Sequence, residues 1–392
     1  LGLCSYMQPY VVIYQSQQQG GNTVQDMEDI ARDVRTLLHG GWEQCVDEAM
    51  FDTLARRLFA YQFAANVPYQ KFCQRRGRTP DTVQHWQEIP AVPIGAFKEL
   101  TLSCMPAADA EAVWMSSGTT NPERRSKHYL AHLDIYNASM LPNFAAHLLP
   151  DAARLPMLVL NPPRTMLPNS SLAHYLHLVL ETFGTAGSDF FLAEHGLALD
   201  RLVQVLRQTE RSGQPVCLLG ASFAFVHALD AFAERGETFR LPPGSRIMDT
   251  GGFKGRSREM SRHVLYGLFA QYFGVPETHC VNMYGMSEFC SQFLDNTLRL
   301  AHHGQPVALA KENPPWTRTR VVDPETMQPV ACGTRGLLLH YDLANCNSVM
   351  AILTEDIGRE VEGGFWLEGR AQGSEARGCS VAIDEMLLAA QR

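Results

Sequence analysis

The chain is 392 residues long, 45% hydrophobic and 19% charged, with a formal net charge of −8. That length supports more than one structural unit around a large core, and the acidic balance excludes the basic field that nucleic-acid binding requires. No apolar run approaches membrane-spanning length, and ten scattered cysteines without a CxxC pair argue against a zinc clip or disulfide framework and for a reducing, cytoplasmic setting.

Residues 1–26 lack the basic start and long apolar core of a signal peptide, and their Gln-rich half reads as a tail. The ordered body is expected from about Met27, where "MEDIARDVRTLL" and then "DEAMFDTLARRLFAYQFAAN" carry apolar residues at helical spacing. "HWQEIPAVPIGAFK", punctuated by Pro and Gly, is expected to run extended. After the short strand "AVWM", helices are predicted at "LDIYNASMLPNFAAHLL", "SSLAHYLHLVLETF", "LDRLVQVLRQTERSG" and "FAFVHALDAFAERG". Between them, "LPMLVL" and "PVCLLGAS" read as buried strands. Such alternation argues for an α/β body with parallel strands over residues 27–313. From about 314, Pro/Gly turns and β-rich pieces predict a smaller β-rich region, 314–392.

Four segments carry polar chemistry. Ser116, Ser117, Gly118, Thr119 and Thr120 in "WMSSGTTNPERRSKHY", followed by Lys127, combine a bare backbone with hydroxyls and positive charge. That is a phosphate-cradling composition, though the spacing is not Walker A and an ordinary turn has the same residues. Gly251 and Gly252 in "DTGGFKGRSRE" let a flat ring approach the backbone, with Lys254 adding charge; a solvated loop is the plainer reading. In "VNMYGMSEF" a strand ends and Ser287-Glu288 opens what reads as a helix, offering a hydroxyl and a carboxylate to a phosphate and a hard cation, or simply a helix cap. Asp356 and Arg370 flank a Gly-rich, hairpin-like segment, where an aspartate can chelate a diol or merely make a turn.

The order of these segments is more specific than any one of them. A Ser/Thr/Gly loop, a Gly-Gly, Y-G-x-[ST]-E, an Asp and a Gly-Arg resemble the motif series of the adenylate-forming enzymes, the acyl-CoA synthetase and ligase superfamily. "SSGTT…RSKHY", "DTGGFKGRSRE", "MYGMSE" and "EGRAQGSEARGCS" look like its acyl-protein synthetase, LuxE-like branch, over roughly residues 40–392. The resemblance implies an α/β adenylate-forming body with a β-rich subdomain and a short C-terminal segment, and activation of a carboxylic acid by ATP and Mg²⁺. By residue, it implies phosphate contacts at Ser116–Thr120, adenine against Gly252 and Tyr284 with Gly285 beside it, and the α-phosphate at Ser287. Glu288 is implied for Mg²⁺, Asp356 for the ribose with Arg370 nearby, Lys127 and Lys254 for charge screening, and Cys379 for accepting the acyl group. Ser222, Phe223, Phe225 and His227 lie where such enzymes line the acyl pocket, with core packing as the competing reading. A reductase or carrier-protein partner is implied as well.

This chain departs from the superfamily at Asn121, where a glycine is usual, and in having no lysine after Asp356. Two alternatives therefore stand beside the synthetase reading: an aryl-CoA ligase of the phenylacetate type, and a non-catalytic relative that binds a metabolite.

Overall fold

The computed structural model describes residues 23–116, 125–251, 257–258, 260–306 and 309–391. Two six-stranded sheets organise them. The first is parallel apart from one edge and runs, in spatial order, Phe293–Leu294, Cys280–Tyr284, Arg246–Thr250, Cys217–Ala221, Met157–Leu160, Asp189–Phe190. Its central strands are apolar along nearly every position because helices cover both faces. The expected helices flank and connect them: Leu133–Leu148 precedes Met157–Leu160, and between later strands come Ser171–Phe183, Leu199–Ser212 and Ser222–Arg235. The last two end at Gly213 and Gly236, which take the left-handed conformation that closes a helix.

The second sheet is built mainly from the later part of the chain. Strands Thr317–Val322, Arg335–Asp342, Ala351–Val361 and Gly364–Arg370 form an antiparallel meander, with Lys311–Glu312 on its far edge. A sixth strand comes from far earlier in the chain: Val92–Pro93 pairs in parallel with Ile352–Leu353. The stretch 85–98 is thus not extended throughout. It breaks into the 3₁₀ turns Trp86–Glu88 and Ile94–Lys98 around that two-residue strand, because Trp86 and Phe97 are each buried against the body.

Helices Thr23–His39, Glu48–Ala65 and Val67–Arg75 pack at the start of the body, the second capped by the Asp47 carboxylate accepting from the Met50 N–H. The terminal helix Ser374–Gln391 returns to pack on Val67–Arg75 and on the Ile94–Lys98 turn. Gly95 permits that approach, since a β-carbon there would lie 2.4 Å from Ile383 Cδ1. No helix among the described residues is long and apolar enough to cross a membrane.

Candidate active site

In a parallel sheet, ligands gather beyond the C-terminal strand ends, where the loops diverge. Here Asn161, Ala221, Thr250–Gly251 and Tyr284 mark four such ends. All of them line one cavity of about 2100 Å³ between the two sheets. The antiparallel sheet contributes Glu355, Asp356 and Arg370 from the opposite wall. Ser116, Gly285, Ser287 and Glu288 complete the meeting of the motif residues. Gly251 takes φ +72°, a conformation that favours glycine.

Tyr284 ends its strand with a buried ring against Phe293, His340 and Phe365, and its hydroxyl donates to Asp356 Oδ2 at 2.9 Å. Burial and the neighbouring Asp356 charge raise the Tyr284 pKa well above the usual phenol value, so the hydroxyl keeps its proton and stays a donor. Asp356 lies within an eleven-residue strand, in register opposite Arg370, whose Nε is 3.5 Å from Asp356 Oδ1.

Ser287-Glu288 opens no helix. The chain turns back after Tyr284 so that Phe293–Leu294 can pair antiparallel with Met283–Tyr284, which leaves 285–292 as a tight connection. Side chains hold this connection in place. The His128 Nδ1–H donates to the Ser287 carbonyl at 2.9 Å, its Nε2 lies 3.0 Å from the Asn345 amide, and Asn345 Nδ2 donates to the Glu288 carbonyl at 3.0 Å. Asp342 accepts from the backbone N–H groups of Cys290 and Ser291 at 3.0 and 2.8 Å. None of His128, Asn345 or Asp342 was singled out from the sequence, although the polar run "YDLANCNS" within a buried sheet carried a signal.

Glu288 itself is 6% exposed and forms no ion pair with a described residue. Burial raises its pKa, while the Ser126 hydroxyl beside it and the charges of Lys98 and Arg370 act in the other direction. Ser126 Oγ is buried beside that carboxylate and meets no other hydrogen-bonding group. The main chain at Ser126 is anchored to Ser116, through its N–H to Ser116 Oγ at 3.1 Å and its carbonyl to the Ser116 N–H at 3.2 Å.

Several expected residues fall elsewhere. Side chains alternate along Lys127–Leu130, so with His128 and Leu130 inward, Lys127 is exposed on the outer face; Arg125, which precedes the strand, lines the cavity. Of the four acyl-pocket candidates Phe223 alone lines the cavity. Phe225 is fully buried against Phe269, because it faces the opposite side of helix Ser222–Arg235; His227 is exposed; and Ser222 donates to Asp249 Oδ2 at 2.7 Å beside a separate cavity of about 370 Å³. Ser117, Gly118, Thr119, Thr120 and Asn121, and likewise Gly252 and Lys254, lie outside the described residues. Cys379 lies in the terminal helix, with its side chain outside the described set.

Comparison with known proteins matches residues 26–388 to the family model "Acyl-protein synthetase, LuxE". The chain belongs to the acyl-protein synthetase family. The synthetase is 25% identical over 362 residues to a long-chain-fatty-acid–luciferin-component ligase of Vibrio harveyi, covering 89% of this chain and 91% of that one. It is 26% identical over 314 residues to the protein of the same name from Aliivibrio fischeri, covering 78% of each. Among solved structures, a 2-hydroxyisobutyryl-CoA ligase in the postadenylation state superposes with TM-score 0.59 at 14% identity, over 83% of this chain and 69% of that one, which shows the adenylate-forming fold. The synthetase is thus a ligase that activates a carboxylic acid and passes the acyl group to protein.

Proposed function

We propose that the synthetase condenses a fatty or aryl acid with ATP to form an acyl-adenylate and then transfers the acyl group to Cys379. The observation that carries this reading is the pairing, across one cavity, of the unneutralised buried Glu288 with the Tyr284–Asp356 hydrogen bond. An unpaired buried carboxylate is costly unless a cation completes it. A single buried carboxylate facing the cavity fits Mg²⁺, which is commonly held by one carboxylate together with substrate phosphates and water. Glu288 and the buried Ser126 hydroxyl would hold it. A bound Mg²⁺ would neutralise charge on the phosphates as pyrophosphate leaves.

The chain's own residues do the positioning. The Tyr284 hydroxyl orients the Asp356 carboxylate toward the ribose diol, with Arg370 alongside, and adenine lies between Gly251-Gly252 and the Tyr284–Gly285 segment. Ser287, with Ser116 to Thr120, wraps the phosphates, Arg125 and Lys254 adding charge. The apolar stretch of Met115, Met166, Leu172, Tyr175 and Phe223 receives the acyl chain. The volume suits a long one, since small-molecule pockets are typically about 300–1000 Å³.

For transfer, Ile383 and Leu387 on the terminal helix line the cavity, and 379 precedes Ile383 by four residues, so the backbone puts all three positions on one helical stripe. The thiolate attacks the acyl carbon, the thioester forms, the acyl–phosphate bond breaks and AMP leaves with the electron pair. A reductase or carrier protein that consumes a protein-bound thioester is the corresponding partner, in a reducing cytoplasm.

Carboxylate-dependent ATP–pyrophosphate exchange against a panel of fatty and aryl acids tests the first half-reaction. Covalent acyl labelling of wild type against Cys379→Ser tests the second. No exchange with any acid would overturn the adenylation reading, and unchanged labelling in C379S would overturn the acceptor assignment.

A further inference from the structure

A carboxylate attacking a phosphate brings two anions together, so the step calls for positive charge beside the reacting atoms. The cations that line the cavity among the described residues are Lys98, Arg125 and Arg370. Arg370 is already engaged, 3.5 Å from both Glu355 and Asp356. Arg125 lies where the phosphate loop rejoins the body, beside Ser126 and Ser116. Lys98 is different: it is exposed, forms no ion pair with a described residue and lines the cavity from a wall that none of the motifs supplies.

Its position follows from topology. Val92 and Pro93 run parallel to Ile352 and Leu353, so two chains proceed in the same direction from one register, one to Asp356 and the other through the 3₁₀ turn to Lys98. The turn is locked from both sides. Phe97 meets the His128 ring edge-on at 6.2 Å, which ties it to the segment that orients Ser287, and Gly95 abuts Ile383 of the terminal helix. The backbone at Lys98 is therefore fixed between the Asp356 strand, the Glu288 connection and the terminal helix. Its charge is felt at Glu288 together with that of Arg370.

We propose that Lys98 is a catalytic residue of adenylation, its ammonium bridging the attacking carboxylate and the α-phosphate. The inference rests on the adenylation reading above. In the step, a carboxylate oxygen forms a bond to the α-phosphorus, the bond from that phosphorus to the bridging oxygen breaks, and pyrophosphate leaves with the electron pair. Lys98 stays protonated throughout. It offsets the repulsion that grows as the two anions close, so its effect falls on the transition state more than on ATP binding.

The test uses the full chain with Lys98→Met and Lys98→Arg, Mg-ATP, and the acid that supports the strongest wild-type exchange. Lys98→Met is expected to lower the kcat of pyrophosphate exchange about 10²–10³-fold with a much smaller change in the KM for ATP, and Lys98→Arg to recover part of the loss. Acylation of the protein from synthetic acyl-adenylate, which bypasses the step, is expected to stay within about threefold of wild type in both variants. Exchange retained in Lys98→Met, or an equal fall in both half-reactions, would overturn the assignment, the latter marking a merely structural lysine. Wild-type exchange keeps the two readings apart. Its absence removes the adenylation reading and this inference together, whereas its presence with undiminished Lys98→Met activity removes the inference alone.

Discussion

Around Asp249 and Asp295 the buried charges are matched; around Glu288, further along the same strand ends, they are not. Asp295 contacts Arg262, lies 2.9 Å from Lys311 Nζ and accepts the Asn282 N–H at 2.7 Å. Asp249 accepts from Ser222, Tyr266 and Asn282 at 2.7, 2.9 and 3.0 Å. Glu288 is as secluded as Asp249, at 6% against 4% exposure, yet has only the Ser126 hydroxyl beside it and no ion pair with a described residue. A matched buried cluster holds elements together. An unmatched one stores an unmet electrostatic demand that a ligand can satisfy, and this is how a site differs physically from a core.

The sharpest way to break the comparison is to unmatch the first cluster. Asp295→Ala leaves Arg262 and Lys311 facing each other without their shared anion, and is expected to cost about 3–5 kcal/mol in a urea unfolding curve. Glu288→Ala should do the reverse, lowering pyrophosphate exchange about 10²–10³-fold while leaving the unfolding midpoint unchanged or raised, since a buried unpaired carboxylate has been removed. If both variants lose stability alike, the distinction between the clusters fails.

A third, matched site sharpens it through pH. Burial works against the Glu312 carboxylate, but His147 Nε2 at 2.9 Å and the Arg299 guanidinium outweigh it and hold its pKa down at about 2. Because the folded value lies below the ordinary carboxylate value, the stabilisation is present at neutral pH and is lost as pH falls from about 4.5 towards 2. Glu312→Gln is expected to be about 2–3 kcal/mol less stable than wild type at pH 7, with the gap narrowing steadily below pH 4.5. A gap independent of pH would show that packing rather than charge is responsible.

The smallest effect concerns the seat of the terminal helix. Gly95→Ala puts a methyl against Ile383, which must shift, at a cost of about 1–3 kcal/mol or less if the side chain rotates. Pyrophosphate exchange and acyl labelling of the protein should both fall, because one contact seats the terminal helix and the turn that carries Lys98. Unchanged exchange would separate that contact from adenylation.

Much of this was legible in the chain itself. Apolar periodicity located the helices Leu133–Leu148 and Ser222–Arg235 and the strands Met157–Leu160 and Cys217–Ala221, because burial of one face or of both is written locally. The order of the Ser116, Gly251, Tyr284, Glu288 and Asp356 motifs identified the family, because each segment carries its own composition. Sequence could not determine which side chains of a motif face the ligand. Lys127 and Phe225 sit among the expected residues yet point elsewhere, since a single step along a strand, or two along a helix, reverses the direction. Nor could it show what Lys98, His128, Asn345 and Asp342 meet, even where the polar run around Asp342 and Asn345 stood out. Their roles come from a two-residue parallel pairing of Val92–Pro93 with a strand 260 positions later and from loops that meet only when the two sheets close on one another. Composition and periodicity are properties of neighbours along the chain, whereas the matching or unmatching of a buried charge depends on which distant groups the fold brings within reach.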